Sequence, residues 1–340
     1  MAMTHEIKQL FQTLYFWQKQ GKKAVFVSVV ALEGSSYRKP GVRMIISQDG
    51  KSVGAVSGGC VEKEIERQAQ TVFITGRAKT MTYDGRLRIG CEGVILLLIE
   101  PVFLTDELMN DFELVLKSRQ NFRMDAWYYN SLGEHKNTGT LITLNEKTYS
   151  LNPFFDLQKI EDQECFSQIF KPLFQLYIFG AEHDAVQLCQ SAKLLGWEVT
   201  IIASADESKS CDYFPGASAL LTPAYNEIDS LEIDNQTAVI LMTHSFNKDV
   251  QYLMALKNIR PAYLGIIGSV NRRERILSTL LDYFPDISPE FLEQIHGPAG
   301  INIGAVNASE IAVSVIAEIL SVVRQQKPVA LSEKSGAIHG

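Results

Sequence analysis

The stretch LYIFGAEHDAVQLCQSAKLLGWEVTIIA, residues 176–203, constrains the fold more than any other part of the chain. It reads as strand, tight turn, helix and strand, the layout of a dinucleotide fold. Gly180 can make the turn after the first strand. The helix that follows then points its amide N–H groups and its positive dipole end at whatever lies above the sheet, an arrangement that favours phosphate. The glycine fingerprint itself is altered, because its second and third positions hold Glu182 and Ala185. Ala203 stands at the end of the second strand, where an acidic residue would grip a ribose hydroxyl. The layout therefore predicts the fold and leaves the ligand open between NAD(P), another phosphate compound, and a scaffold that has lost the ligand.

The alternation continues to the end of the chain. Apolar runs at 237–242 and 262–267 read as strands, and helical periodicity covers 184–195, 247–258 and 272–281. Asn307 caps a last helix with Glu310 at the capping-box position and Ile311, Val315, Ile319 and Val322 as its stripe. This pattern predicts a Rossmann-like, doubly wound parallel sheet. Thr243-His244 and Gly268-Ser269 each follow a strand, so both pairs are expected on the ligand-binding rim with Gly180 and His183. The two histidines can donate to a phosphate or move protons near neutral pH, or they can be loop residues that cap backbone groups. Arg272, Arg273 and Arg275 read as a solvated helix face with one possible phosphate clamp, and Asp249 as a helix cap or salt-bridge partner.

The N-terminal half has a different grammar. Ile7, Leu10, Phe11, Leu14 and Trp17 form one helical stripe closed by Gly21. Strands are expected at 24–30, 79–83 and 94–100, with a hairpin formed by 44–46 and 52–56. A helix is expected through Val61, Ile65, Ala69, Val72 and Phe73. Residues 101–171 read less clearly, with strands near 124–129, 139–144 and 147–151 and a connection at 161–164. The expected organisation is a smaller N-terminal α+β domain over 1–171 with its connecting segment, the Rossmann-like domain over 172–327 and a flexible tail over 328–340.

Ser57-Gly58-Gly59-Cys60-Val61-Glu62 is the most informative element of this half. Two glycines between a strand and a helix open backbone conformations closed to other residues and leave N–H groups exposed. Cys60 then falls near a helix N-terminus, where the dipole favours a thiolate, which is both a nucleophile and a soft metal ligand. The alternative is a small buried thiol packing a tight turn. Cys91, within Gly90-Cys91-Glu92-Gly93, is a second glycine-flanked thiol that would share the site if the two turns meet. Arg38 and Lys39, in Gly34-Ser35-Ser36-Tyr37-Arg38-Lys39-Pro40-Gly41, suit either an anionic small ligand or an ordinary basic loop.

Composition narrows the classes. Hydrophobic residues are 46% and charged residues 21% of 340, which is globular. A net charge of −7 without a Lys/Arg block argues against nucleic acid. The apolar runs are too short to span a bilayer, and the first residues carry Glu6 and no long apolar core, unlike a secretory leader. Five cysteines without a C-x-x-C pair argue against a disulfide scaffold, a zinc ribbon or an iron–sulfur protein, and for a cytoplasmic location.

Taken in order, the segments at 34–41, 57–62 and 90–93, Gly180-Ala181-Glu182-His183-Asp184, Thr243-His244, Gly268-Ser269 and residues 298–305 resemble the XdhC/CoxI family of xanthine dehydrogenase accessory factors. The chain departs from that family's pattern at Glu92, Ala203, Val270, Asn302 and Ala308. The resemblance implies a protein that binds molybdenum cofactor and helps insert it into a molybdenum hydroxylase such as xanthine dehydrogenase. It further implies a homodimer and a cysteine desulfurase as possible partner. Carried onto this sequence, it makes Cys60 the metal-facing residue, Ser57, Gly58 and Gly59 a backbone cradle and Arg38 a phosphate partner. Glu62, Cys91, Gly180, His183, Asp184, Thr243, His244, Gly268 and Ser269 complete the expected cofactor-binding set. The competing readings are an NAD(P)-dependent oxidoreductase built on Gly180, His183 and His244, and a docking adaptor without a retained ligand. A catalytic component of the dehydrogenase itself fits a chain this short, without iron–sulfur spacing, poorly.

Overall fold

A computed structural model describes residues 3–34, 39–56, 61–84 and 93–334. The chain divides into two compact units, Met1–Pro172 and Leu173–Gly340, nearly equal in length.

Among the described residues, the N-terminal unit is built from two antiparallel sheets and three α-helices. In chain order its elements are α1 (Thr4–Lys19), β1 (Ala24–Glu33), β2 (Arg43–Ser47), β3 (Ser52–Gly54), α2 (Glu62–Thr75), β4 (Ala78–Asp84) and β5 (Val94–Pro101). They continue with α3 (Asp106–Lys117), β6 (Phe122–Tyr128), β7 (Gly133–His135), β8 (Gly139–Leu144), β9 (Lys147–Ser150) and β10 (Glu164–Phe170). The first sheet has the order β3-β2-β1-β5-β4-β7 and the second β10-β6-β8-β9. Alternation along β1 decides what packs where. Val25, Val27 and Val29 meet Ile65, Ala69 and Val72 of α2, whereas Ala24 and Phe26 turn to the opposite core with α1, α3 and the second sheet. A relay of rings ties that core together. Phe11 lies 5.0 Å from Phe112, Phe112 lies 5.4 Å from Phe122, and Phe122 stacks on Phe170 at 4.7 Å.

Three of these elements differ from the sequence expectation, the short β7 being simply absent from it. Helix α3 is absent from the sequence reading; Thr105 starts it by accepting the Leu108 amide, and Leu108, Met109, Phe112 and Val115 enter the core. The sequence reads 161–164 as a connection, but Glu164 already belongs to β10 and pairs with Tyr128.

This core also buries charge. Glu100 on β5 is fully buried and accepts hydrogen bonds from the amide (2.8 Å) and hydroxyl of Thr140. Burial pushes its carboxyl up to about 7, outweighing the downward pull of Thr140 and of the Arg43 charge. A carboxyl raised in the folded state gives stability that is complete below its ordinary 4.5 and is lost as the pH climbs through about 7. The neutral amide of E100Q can accept from the Thr140 amide and donate to its hydroxyl. We expect E100Q to match the parent below pH 4.5 and to exceed it by roughly 3 kcal/mol at pH 8.5. Urea melts at both values check this, and equal stability at pH 8.5 would contradict it.

The C-terminal unit is one parallel sheet with helices on both faces. Its elements are β11 (Gln175–Phe179), α4 (His183–Leu194), β12 (Glu198–Ile202), β13 (Ala217–Leu221), β14 (Thr237–Leu241) and α5 (Phe246–Leu256). Then follow β15 (Tyr263–Ile266), α6 (Val270–Tyr283), α7 (Pro289–Glu293), β16 (Ile295–His296) and α8 (Ala308–Val323). The strand order β13-β12-β11-β14-β15-β16 is that of a Rossmann fold, with the reversal between β11 and β14. Helices α4 and α8 pack on one face of the sheet and α5, α6 and α7 on the other. Between β12 and β13 the usual crossover helix is replaced by an irregular segment with a single 3-10 turn at Cys211–Tyr213. No helix among the described residues is long and apolar enough to cross a membrane.

Candidate functional site

At the reversal point of the C-terminal sheet, Gly180 leaves β11 with φ +134°. Its amide donates to the Ile202 carbonyl at 2.9 Å, and the Met242 amide donates to the Phe179 carbonyl at 2.9 Å. A Cβ on Gly180 would stand 2.8 Å from the Met242 oxygen and 3.2 Å from the Thr243 nitrogen. Glycine is thus required both by the backbone angle and by the neighbouring strand. G180A is expected to lower stability by about 1–3 kcal/mol. A thermal melt coincident with the parent would refute the close approach.

The expected rim residues do emerge from adjacent strand ends. His183 opens α4 and is exposed, with Asp184 half-buried behind it. Thr243 and His244 follow β14, and Gly268 and Ser269 follow β15, its neighbour in the sheet. Ser269 caps α6 by accepting the Arg272 amide at 3.2 Å, and Ser245 caps α5 in the same way. The side chains of His183 and His244 are both exposed. The rim is therefore lined by helix starts, but its charges differ. The start of α4 carries the carboxylates of Glu182 and Asp184, which oppose an anion, whereas the first turn of α6 carries no acid.

Below this rim sits a built polar cluster. Asp249 on α5 is fully buried and accepts from Thr243 Oγ1 at 2.5 Å and from Arg272 Nη2 at 2.7 Å. Burial pushes its carboxyl up, more than the Thr243 and Arg272 hydrogen bonds bring it down. Arg272 is consequently not part of a solvated face: its side chain is only 25% exposed and is committed to Asp249. At the position of the ribose-binding acid, Ala203 is buried. The next residue, Ser204, takes Lys248 Nζ at 2.7 Å, so a cation stands near the end of β12.

A second cluster is one the sequence reading misses. Glu318 on α8 accepts from Tyr263 Oη (2.5 Å) and the Gly300 amide (2.7 Å), and pairs with His296 Nδ1 at 3.3 Å. Burial would raise this carboxyl, yet the three donors outweigh it and hold it below its ordinary value. The signal that could have found it is a lone carboxylate inside an otherwise apolar helix stretch. Glu318 thereby anchors the start of the 298–305 segment.

Ser57, Gly58, Gly59, Cys60, Arg38 and Cys91 lie outside the described residues. The residues that flank them do not. β1 runs toward Glu33, which pairs with Val94 at the start of β5, and Val94 pairs on its other side with Asp84 at the end of β4. Gly41 and Val42 are bonded to Val29, and Gly54 at the end of β3 pairs with Met44. Val56 and Val61, on either side of 57–60, are buried in one core with Val27, Val29 and Ile95. All three glycine-bearing segments thus leave the first sheet at one end; 34–41 and 90–93 rejoin it there, whereas 57–60 leads into α2. Glu62 is the first residue of α2. Among the described residues, no group of three His, Cys, Asp or Glu could hold a metal ion.

Comparison with known proteins matches residues 176–319 to a family model described as the XdhC Rossmann domain. Residues 17–84 match the model of the XdhC and CoxI family. The chain is 27% identical over 322 residues to a Bacillus subtilis protein named as a probable xanthine dehydrogenase subunit, covering 88% of this chain and 93% of that one. It is 28% identical over 310 residues to the molybdenum cofactor insertion chaperone PaoD of Escherichia coli, covering 89% and 84%. A crystal structure described as a xanthine dehydrogenase from Bacillus halodurans superposes with a TM-score of 0.76 at 27% identity, covering 93% of this chain and 96% of the other.

Proposed function

Because the chain belongs to the XdhC and CoxI family, we propose that it is a molybdenum cofactor-binding accessory protein. It serves the maturation of xanthine dehydrogenase or a related molybdenum hydroxylase. Similarity to an insertion chaperone over most of both chains supports this reading. The observation that carries the site is the common root of the three glycine-bearing segments at one end of the first sheet. Residues anchored there can act on one cargo.

The cargo is an anionic pterin phosphate whose dithiolene sulfurs hold an oxidised metal. In this reading Cys60 faces the metal, with Cys91 as the second thiol. The amides of Ser57, Gly58 and Gly59 cradle the anion, Arg38 pairs with its phosphate and Glu62 orders the start of α2. Gly180, His183, Asp184, Thr243, His244, Gly268 and Ser269 form a further rim for a phosphate-bearing ligand of the C-terminal unit. The protein acts in the cytoplasm as a homodimer, and a cysteine desulfurase supplies the sulfur for the sulfurated form of the cargo.

The test is the molybdenum and pterin content of the full chain purified from a molybdate-fed host. Near-stoichiometric amounts of both are expected; protein free of both overturns the reading. The relatives' names divide between a component of the enzyme and a chaperone. A chaperone leaves its client after loading and a component remains, so co-purification with loaded hydroxylase separates the two. The strand order with Gly180 at the reversal point favours one other reading, NAD(P) binding at that rim. The exposed carboxylate of Glu182 and the loss of the ribose acid at Ala203 weigh against it. Titration with NADH and NADPH, followed by nicotinamide fluorescence, decides: micromolar binding would establish it.

A further inference from the structure

The interior of the N-terminal unit holds polar atoms that none of these roles uses. Ser28 on β1 and Arg43 on β2 stand directly opposite each other. That register puts their Cβ atoms about 4.5–5.5 Å apart on one face of the sheet. Both residues are buried, with exposures of 0% and 3%. The guanidinium is satisfied on one side only. Its Nη1 donates to the Gly41 carbonyl at 2.8 Å and to Gln168 Oε1 at 2.6 Å, and it lies 5.4 Å from the centroid of the Phe170 ring. Nε and Nη2 of Arg43 and Oγ of Ser28 have no hydrogen-bond partner among the described residues.

A buried cation with open N–H groups is strongly disfavoured, and such groups in folded proteins are almost always paired with protein, solvent or an ion. The nearby carboxylate of Glu100 acts on the Arg43 charge, but its two oxygens are engaged by Thr140. The open groups on Arg43 are all donors, so the guest must be an acceptor, and the positive charge excludes a metal cation. Arg43 and Ser28 are both buried, so the guest is a small one.

We propose that one small hydrogen-bond acceptor, a halide ion or a water molecule, is bound between Arg43 and Ser28. It completes the coordination of a guanidinium whose other side holds the carbonyl of Gly41. Gly41 closes the 34–41 segment, so this guest sits at the root of one of the motif-bearing segments.

The experiment is a crystal structure of the full chain grown in sodium bromide, with data collected at the bromine absorption edge. A density peak within hydrogen-bonding distance of Arg43 Nε or Nη2 and of Ser28 Oγ is expected. An anomalous signal on that peak identifies a halide, and its lack identifies water; both support the proposal. A halide also raises Tm when chloride replaces gluconate at constant ionic strength, a rise that water does not give. No peak at this position, or a guanidinium turned so that Nε and Nη2 bond protein atoms, overturns it.

Discussion

Replacing Cys60 by alanine or serine is expected to strip the protein of its cargo, with retained molybdenum and pterin falling at least about tenfold. Cys60 directly precedes Val61, the residue that caps α2. The proposed role calls for a thiolate, the form that helix N-termini favour in general. The acids of the first turn, Glu62 and Glu64, work against that form, but Glu64 is already paired with Arg67 at 2.5 Å. Serine is nearly the same size as cysteine and does not ionise near neutrality. C60S should therefore be as damaging as C60A if the thiolate is what matters. The check is metal and pterin analysis of each variant, alongside melts that match the parent. Parent-like retention by C60S would move the site away from this sulfur.

The largest effect on stability is expected from R272M. This change keeps much of the apolar stem of Arg272 but removes the cation from a carboxylate that is fully buried on α5. Breaking such a pair from one side costs about 3–5 kcal/mol, whereas replacing both partners with apolar groups is often close to neutral. D249L/R272M should accordingly stand well above R272M alone. The pH dependence has a definite sign. Burial already raises the Asp249 carboxyl above its ordinary value, and losing Arg272 raises it further. The favourable protonated form is present at low pH and is lost as the pH rises. The deficit of R272M should therefore grow from pH 5 to pH 8 in urea melts. R272M as stable as the parent at pH 8 would show that the pair holds nothing together.

The C-terminal unit is legible in the sequence because its physics is periodic. Strands buried on both faces, such as β14, read as continuous apolar runs, and the helices between them keep a clean stripe. The N-terminal unit hides more. On β10, Gln168 is buried because it serves Arg43, while apolar Ile169 is 66% exposed, so the alternation cancels. On α3, the exposed Leu114 blurs the stripe formed by Leu108, Phe112 and Val115. β16 has two residues and offers no pattern at all. Arg272 reads as solvated beside Arg273 and Arg275 because its partner lies 23 positions earlier, on another helix. Spacing places the rim residues at strand ends and offers Asp249 as a salt-bridge partner; it does not reveal the buried Glu100, nor the sequence-distant donors that hold Asp249 and the half-buried Glu318.

The chain passes from one unit to the other once, at Pro172 and Leu173. β10, the last strand of the first unit, pairs with β6 only some forty residues earlier. Everything that unit needs has thus been synthesised before the second unit is begun. At roughly 5–20 residues per second, translation of the remainder lasts about 10–30 s. The leading half can emerge and mature during that interval, before the Rossmann sheet has its full set of strands.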